Sequence, residues 1–368
     1  RRRRDLRGKS REVSPSMSRL RVVMAPYVTG NPYQDLLCGA LADRGVDVVP
    51  AHGYRALADA LATRADVVHL HWLHSFISGN AVSSMLKAVR LVARLRRHRA
   101  TGGKVVATLH NLQNHSKKNG HAESWLTRRV ARLADRLIAH SAEARNAWLD
   151  RHGREFADKV VVVPHGNFSS SYPRGVTRED ARAHFGISVD AVVFCYLGLI
   201  RPYKGVAPLL RAFAELRRER DDVFLLVAGK IIEPELASEL EELVRTTPSV
   251  QAQFSHVADD ELQNWLGAAD AVVIPYSDSL TSGSGILAAS FSRPIIAPRV
   301  PGAIAVAGTD AGLLYSNTDS RGLVDALRNA AKDRDRLRVL GEAAGARAAS
   351  WTWESIAEKT IAAYRGAL

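Results

Sequence analysis

A chain of 368 residues that is 46% hydrophobic and carries a formal net charge of +13 is long enough for two cores, and too mixed in composition for a fibrous or low-complexity class. No apolar run approaches the roughly 18 residues needed to span a bilayer, and no secretory h-region is visible. Cys38 and Cys195 fall in apolar segments of different halves, which argues against a disulfide framework and suits a reducing cytosol.

Residues 1–17 read as a basic flexible tail, with seven cations and two acids in the first twelve positions, and Met17 is a candidate start. The first half, 18–170, alternates strands with helices. Strands are expected at 20–25, 46–49, 67–71, 104–109, 137–139 and 160–163, and helices at 34–44, 54–63, 81–99 and 123–134. The 81–99 helix ends on Arg90, Arg94, Arg96, Arg97, His98 and Arg99, and the 123–134 helix carries Arg128, Arg129 and Arg132. The polar stretch 167–175, with three serines, Pro173 and Gly175, breaks the pattern as a linker does.

The second half, 171–350, restarts the alternation. Strands are expected at 191–197, 223–228, 250–254, 271–275 and 295–297. Helices are expected at 206–220, 234–245, 259–268, 320–331 and 334–349, with a small-residue helix ending near Arg293 and a last helix at 353–365. Regular β/α alternation predicts parallel sheets covered on both faces. The fold class is therefore α/β, with two doubly wound Rossmann-like domains facing a central cleft, where ligands bind at strand carboxyl ends.

Three stretches carry chemistry. After the 271–275 strand, Asp278 and the run Thr281-Ser282-Gly283-Ser284-Gly285 open a helix, and free N–H groups at a helix start form an anion site that glycines let a ligand approach. After the 191–197 strand, Gly198 through Gly205 place Arg201 and Lys204 beside another helix start, where two cations can clamp a diphosphate and stabilise it as a leaving group. After the 104–109 strand come His110, Asn111 and His115; a histidine there can donate a hydrogen bond to a sugar hydroxyl or a developing charge. His71 and His74 are further cleft candidates and His69 a structural one. The cluster lacks the cysteines or H-E-x-x-H spacing of a zinc site, so no metal is expected.

In their order along the chain these motifs resemble the GT-B glycosyltransferases, specifically the large retaining family 4. The residues that carry the resemblance are Gly30, Thr108–Asn111, Pro164-His165-Gly166-Asn167, Gly198–Gly205, Val227–Lys230, Ala268–Ala271, the 281–285 loop with Arg293–Ala297, and Trp351–Glu354. The resemblance implies an acceptor-binding first domain, a nucleotide-sugar-binding second domain and a C-terminal helix, 351–368, that crosses back. It implies His110, Arg201 and Lys204 as catalytic residues, with Gly30, Gly198, Asp278, Thr281, Ser282, Gly283 and Ser284 on the donor and His71, His74, Asn111 and His115 toward the acceptor. It further implies retention of configuration, no metal, no cofactor, and a nucleotide-diphosphate sugar, UDP- or GDP-linked, as substrate. Two departures stand out: Leu199 occupies the place of the family arginine, with Arg201 a shifted substitute, and the family's two glutamates are replaced by Ser279 and Leu287.

A hydroxyl acceptor, lipid-linked or a small natural product, fits a basic face on the 81–99 and 123–134 helices that could lie on anionic lipid at the inner membrane face. A cytoplasmic, peripheral location follows from that reading. Two other classes compete. A non-catalytic basic protein for membrane or nucleic acid would explain the charge but not the two loops, and no RNA-binding motif is visible. A nucleotide-sugar epimerase on the same architecture would need acid/base carboxylates that the cleft stretches scarcely offer.

Overall fold

The structure, a computed structural model, describes residues 19–62, 64–77, 79–112 and 120–366. The basic tail, Met17 and His115 lie outside the described residues. In the first half, apolar runs form β1 (Arg21–Ala25), β2 (Asp47–Pro50), β3 (Val67–Leu70), β4 (Lys104–Thr108), β5 (Arg136–Ala139) and β6 (Val160–Val162). They pair in parallel in the order β2-β1-β3-β4-β5-β6. The second half supplies β7 (Val192–Leu197), β8 (Val223–Ala228), β9 (Val250–Gln253), β10 (Ala271–Val273), β11 (Ile295–Pro298) and β12 (Gly312–Tyr315), parallel in the order β12-β11-β10-β7-β8-β9. Every residue of β7 is buried, because helices cover both faces and leave no solvent side.

In both sheets the chain runs outward from its first strand and then returns to that strand's other side. The reversals fall between β1 and β3 and between β7 and β10, and each opens a crevice at the strand carboxyl ends. Helix starts follow local chemistry: Asn80, Ser141, Ser282 and Thr352 each accept a backbone N–H three residues on, satisfying one of the free donors of the first turn.

The structure adds elements the apolar pattern does not announce. Ala142–His152, Arg178–His184 and Pro301–Ala307 are helices, and Gly312–Tyr315 is an edge strand. The first two helices are too polar, and the third too short and glycine-containing, to show a helical period.

The last helix, Trp353–Arg365, packs against Pro32–Asp43 on the first sheet, and its Trp353, Ile356, Ile361 and Tyr364 join the core of Val22, Met24, Val67 and Val106. The two strands of chain passing between the lobes are fastened to each other there. Trp353 Nε1–H donates to the Asn167 carbonyl at 2.8 Å, Asn167 N–H donates to the Trp351 carbonyl at 3.0 Å, and the Asn167 amide donates to the Ala348 carbonyl at 2.9 Å. A second tie is apolar: Leu280, on the loop after β10, is buried in the core of the first lobe. Trp353→Ala should therefore lower the unfolding free energy by about 3 kcal/mol or more, read from denaturant titration; a change within about 0.5 kcal/mol, the range of surface substitutions, would show that the crossing carries no stability.

Candidate active site

The second-lobe crevice is made by the loops after β7, β8 and β10. At the end of β7, Gly198 holds φ +143°, and a Cβ there would lie 2.9 Å from Ser284 Oγ, 3.4 Å from Tyr276 OH and 3.9 Å from Lys204 Nζ. Three side chains from the loops after β7 and β10 thus surround one bare stretch of backbone. Tyr276 OH donates to Ser284 Oγ at 3.0 Å, and the Lys204 ammonium sits 4.2 Å from the centroid of the Tyr276 ring, within cation–π range. Gly205, at φ +68°, starts the Val206–Glu219 helix, and a side chain there would collide with the Pro275 carbonyl. Ser277 N–H donates to the Tyr203 carbonyl at 3.1 Å, so the two loops are hydrogen-bonded together.

The remaining donor-side residues divide. Ser282 Oγ is buried and accepts Gly285 N–H at 3.1 Å as the cap of the Gly283–Ser290 helix. One lone pair of its hydroxyl is therefore used as a cap, while Gly283 and Ser284 present the first turn. Arg201 is paired with Glu233 at 3.0 Å, both about one-third exposed. Glu233 is a crevice residue that sequence reasoning missed, because it follows β8 and meets Arg201 only in the fold. Asp278 is half-buried in the loop. Ser279, at one missing glutamate position, donates its hydroxyl to the Thr281 carbonyl at 2.9 Å, and Leu287, at the other, packs against the second-lobe core. Gly30 turns at φ +75° after β1, with nothing within 4 Å of an added Cβ.

The first-lobe side is a nest of histidines. Tyr33, buried, has the rings of His71, His110, His140 and His165 at centroid distances of 5.9, 5.6, 5.4 and 4.6 Å. These histidines come from the carboxyl ends of β3, β4, β5 and β6. Trp72 stacks on His110 at 4.4 Å and 18°. His71 is fully buried behind His110, with Nδ1 2.9 Å from His110 Nε2, which corrects its expected place as an acceptor contact. His74 and Asn111 line a pocket with His110 and Trp72. His69 is structural: it bonds Tyr364 OH at 2.8 Å and Thr108 Oγ1 at 2.7 Å.

Between the lobes lies a cavity of about 390 Å³, with His140 and His165 on one wall and Thr281, Ile286, Ile304 and Val306 on the other. His140 and Thr281 both line it, and His140 Nε2 and Thr281 Oγ1 are buried without a hydrogen-bond partner among the described residues. Two uncompensated polar atoms in one cavity are costly unless a ligand or water satisfies them. Sequence reasoning singles out Thr281 but not His140, and that the two share a cavity is not visible in sequence, since the pairing needs both lobes.

Burial disfavours the charged imidazolium, and neighbouring histidines add to it. His69 and His165 are pushed down to about 3 and His140 to about 4, while His71 and His110 lie well below the usual range. Each folded-state value lies under the unfolded one, so the groups leave stability untouched above about pH 6.5, and protonation of the unfolded chain erodes it as pH falls toward the folded values. Unfolding free energy should drop between about pH 6.5 and pH 5 by on the order of 1 kcal/mol per histidine per pH unit, and His69→Gln should make the decline shallower. A flat urea-unfolding profile over that range would mean these rings take up protons in the fold as readily as in the unfolded chain.

Comparison with known proteins agrees with this geometry. Residues 191–333 match the family model described as glycosyl transferases group 1, and residues 41–166 match that described as Glycosyltransferase Family 4. A D-inositol 3-phosphate glycosyltransferase of Streptomyces coelicolor is 30% identical over 376 residues, covering 94% of this chain and 78% of the relative. A GDP-mannose:glycolipid 4-beta-D-mannosyltransferase of Xanthomonas campestris pv. campestris is 28% identical over 279 residues, covering 74% of this chain and 71% of the relative. HepE of Anabaena, solved in complex with UDP and glucose, superposes with a TM-score of 0.72 at 16% identity over 95% of this chain and 99% of that one, a likeness of fold.

Proposed function

The chain belongs to the group 1, family 4 glycosyltransferases and uses a nucleotide sugar, and from that premise we propose that it moves a hexose-type sugar from a nucleotide-diphosphate donor to a hydroxyl acceptor, with retention of configuration. The observation that carries this reading is the convergence of Gly198, Lys204, Tyr276 and Ser284 at the start of the Gly283–Ser290 helix, on the strand-order reversal of the second sheet.

In this reading the donor diphosphate lies over Gly198. Its charge is met by Lys204, by Arg201 once it shares or leaves Glu233, and by the N–H groups of Gly283 and Ser284, not by a metal ion. These groups are fixed before the bond breaks, so they stabilise charge developing on the leaving phosphate with little reorganisation. The transferred sugar reaches toward His110 and the cavity between the lobes, where His140 Nε2 and Thr281 Oγ1 find hydroxyl partners. Gly30 serves the first loop's approach to the phosphates. The missing glutamates leave recognition of the nucleotide to other contacts. The relatives described above favour GDP-mannose or a UDP-sugar as donor and a glycolipid or an inositol phosphate as acceptor.

Lys204→Ala should lower turnover by on the order of a hundredfold with thermal stability unchanged. Product anomers read by NMR in the same assay should match the donor's configuration. Near-normal transfer by the variant would remove the crevice from the mechanism, and an inverted anomer would replace retention by direct displacement.

A membrane-facing acceptor is supported by the Ala81–Ala100 helix. Val82, Leu86 and Val89 stand 79%, 47% and 45% exposed at positions i, i+4 and i+7, beside exposed Arg90, Arg96 and Arg97. No helix among the described residues is long and apolar enough to cross a membrane. An apolar stripe rimmed by cations suits the surface of an anionic bilayer, each cation contributing about 1 kcal/mol, and supports a location at the cytoplasmic face. Vesicles with anionic lipid should sediment the protein at low salt, Leu86→Glu should weaken this, and failure of the wild type to sediment would end the membrane reading.

A further inference from the structure

The orientation of the His110 proton can be deduced from its neighbours. His71 is fully buried with Nε2 2.8 Å from Met24 Sδ and Nδ1 2.9 Å from His110 Nε2. A thioether has lone pairs and no hydrogen, so it can only accept. The His71 proton therefore sits on Nε2, since the other tautomer would set a nitrogen lone pair against the sulfur. His71 Nδ1 is then bare and accepts, which requires His110 to carry its proton on Nε2. In a neutral ring that leaves His110 Nδ1 as a lone pair. His110 is half-buried, lines a pocket with His74 and Asn111, and has no other hydrogen-bond partner among the described residues.

We propose that Met24 and His71 are positioning residues that lock His110 in the tautomer that accepts at Nδ1. The sequence alone allowed a donor role toward a hydroxyl or a developing negative charge; the chain Met24–His71–His110 reverses that polarity. Its partner is then a group that donates, a neutral sugar hydroxyl, and a carboxylate or phosphate oxygen placed there would meet lone pair with lone pair. The inference rests on the proposed function only for the identity of that partner. The tautomer itself is a property of the free protein. Stacking of Trp72 on the ring and the edge of Tyr33 against it hold the plane of His110, so that only the proton position remains to be set.

The test begins with the unliganded full chain. Nitrogen-15 NMR of the histidine-labelled protein, with His110→Gln to assign the signal, should show a neutral His110 protonated at Nε2. A ring protonated at Nδ1, or at both nitrogens near neutral pH, overturns the proposal whatever the enzyme's substrate. Met24→Leu keeps the volume and removes the acceptor, so the His110 signal should shift toward a mixture of tautomers. Turnover should then fall at least about tenfold, while the Kd of the nucleoside diphosphate alone, which has no sugar to reach His110, stays unchanged. His71→Leu should do the same, while His71→Asn, whose carbonyl can accept near the Nδ1 position, should restore most of the rate. Unaltered His110 signals in both Met24→Leu and His71→Leu would equally overturn it.

Discussion

The molecule depends on bare backbone at the carboxyl end of β7. A side chain on Gly229 would collide with the Gly198 carbonyl, and one on Gly205 with the Pro275 carbonyl. The ends of β7, β8 and β10 therefore come closer together than Cβ atoms would allow. That closeness is what lets Lys204 and Ser284, eighty positions apart, face one strip of main chain. Their charge and dipoles act on a ligand only because nothing lies between. Ser277 bonds the loop after β10 to Tyr203 of the loop after β7, and Tyr276 bonds the same loop to Ser284 of the helix it opens, so the proposed anion site is held together within the free protein.

The second lobe would be only half of a transferase without the first. The two are joined by chain crossings locked through Trp353 and Asn167, and by Leu280, which reaches from the donor-side loop into the first-lobe core. Thr281 and Ser282 follow Leu280 directly, so the position of that anchor bears on the loop proposed to hold the donor. The first lobe answers with imidazoles from four adjacent strand ends. Packed around Tyr33 they are kept neutral by burial, and in the hydrogen-bonded pair His71–His110 the proton position on one ring sets that on the other.

Much of this was legible in the residues. Buried parallel strands read as unbroken apolar runs, and the turns that follow them announce themselves through glycine, serine and cations at fixed places. The Gly198–Gly205 and 281–285 loops were found that way, and both lie on the strand reversal of the second sheet. Elements without such a signature, Arg178–His184 and Pro301–Ala307, stayed hidden. Ser282 reads as a ligand contact in sequence, and the fold also makes it a helix cap, a use of the hydroxyl's lone pair that local sequence does not announce.

The sequence by itself determined the architecture, the family and the two glycine-containing loops proposed to hold the donor, because each is written in residues near one another along the chain. Only the tertiary structure decided that Arg201 is held by Glu233, that His71 stands behind His110, and that His140 and Thr281 share a cavity. Those pairings join residues from separate strands or separate lobes, and whether a charged or polar atom finds a partner depends on distances in space that periodicity along a chain does not encode.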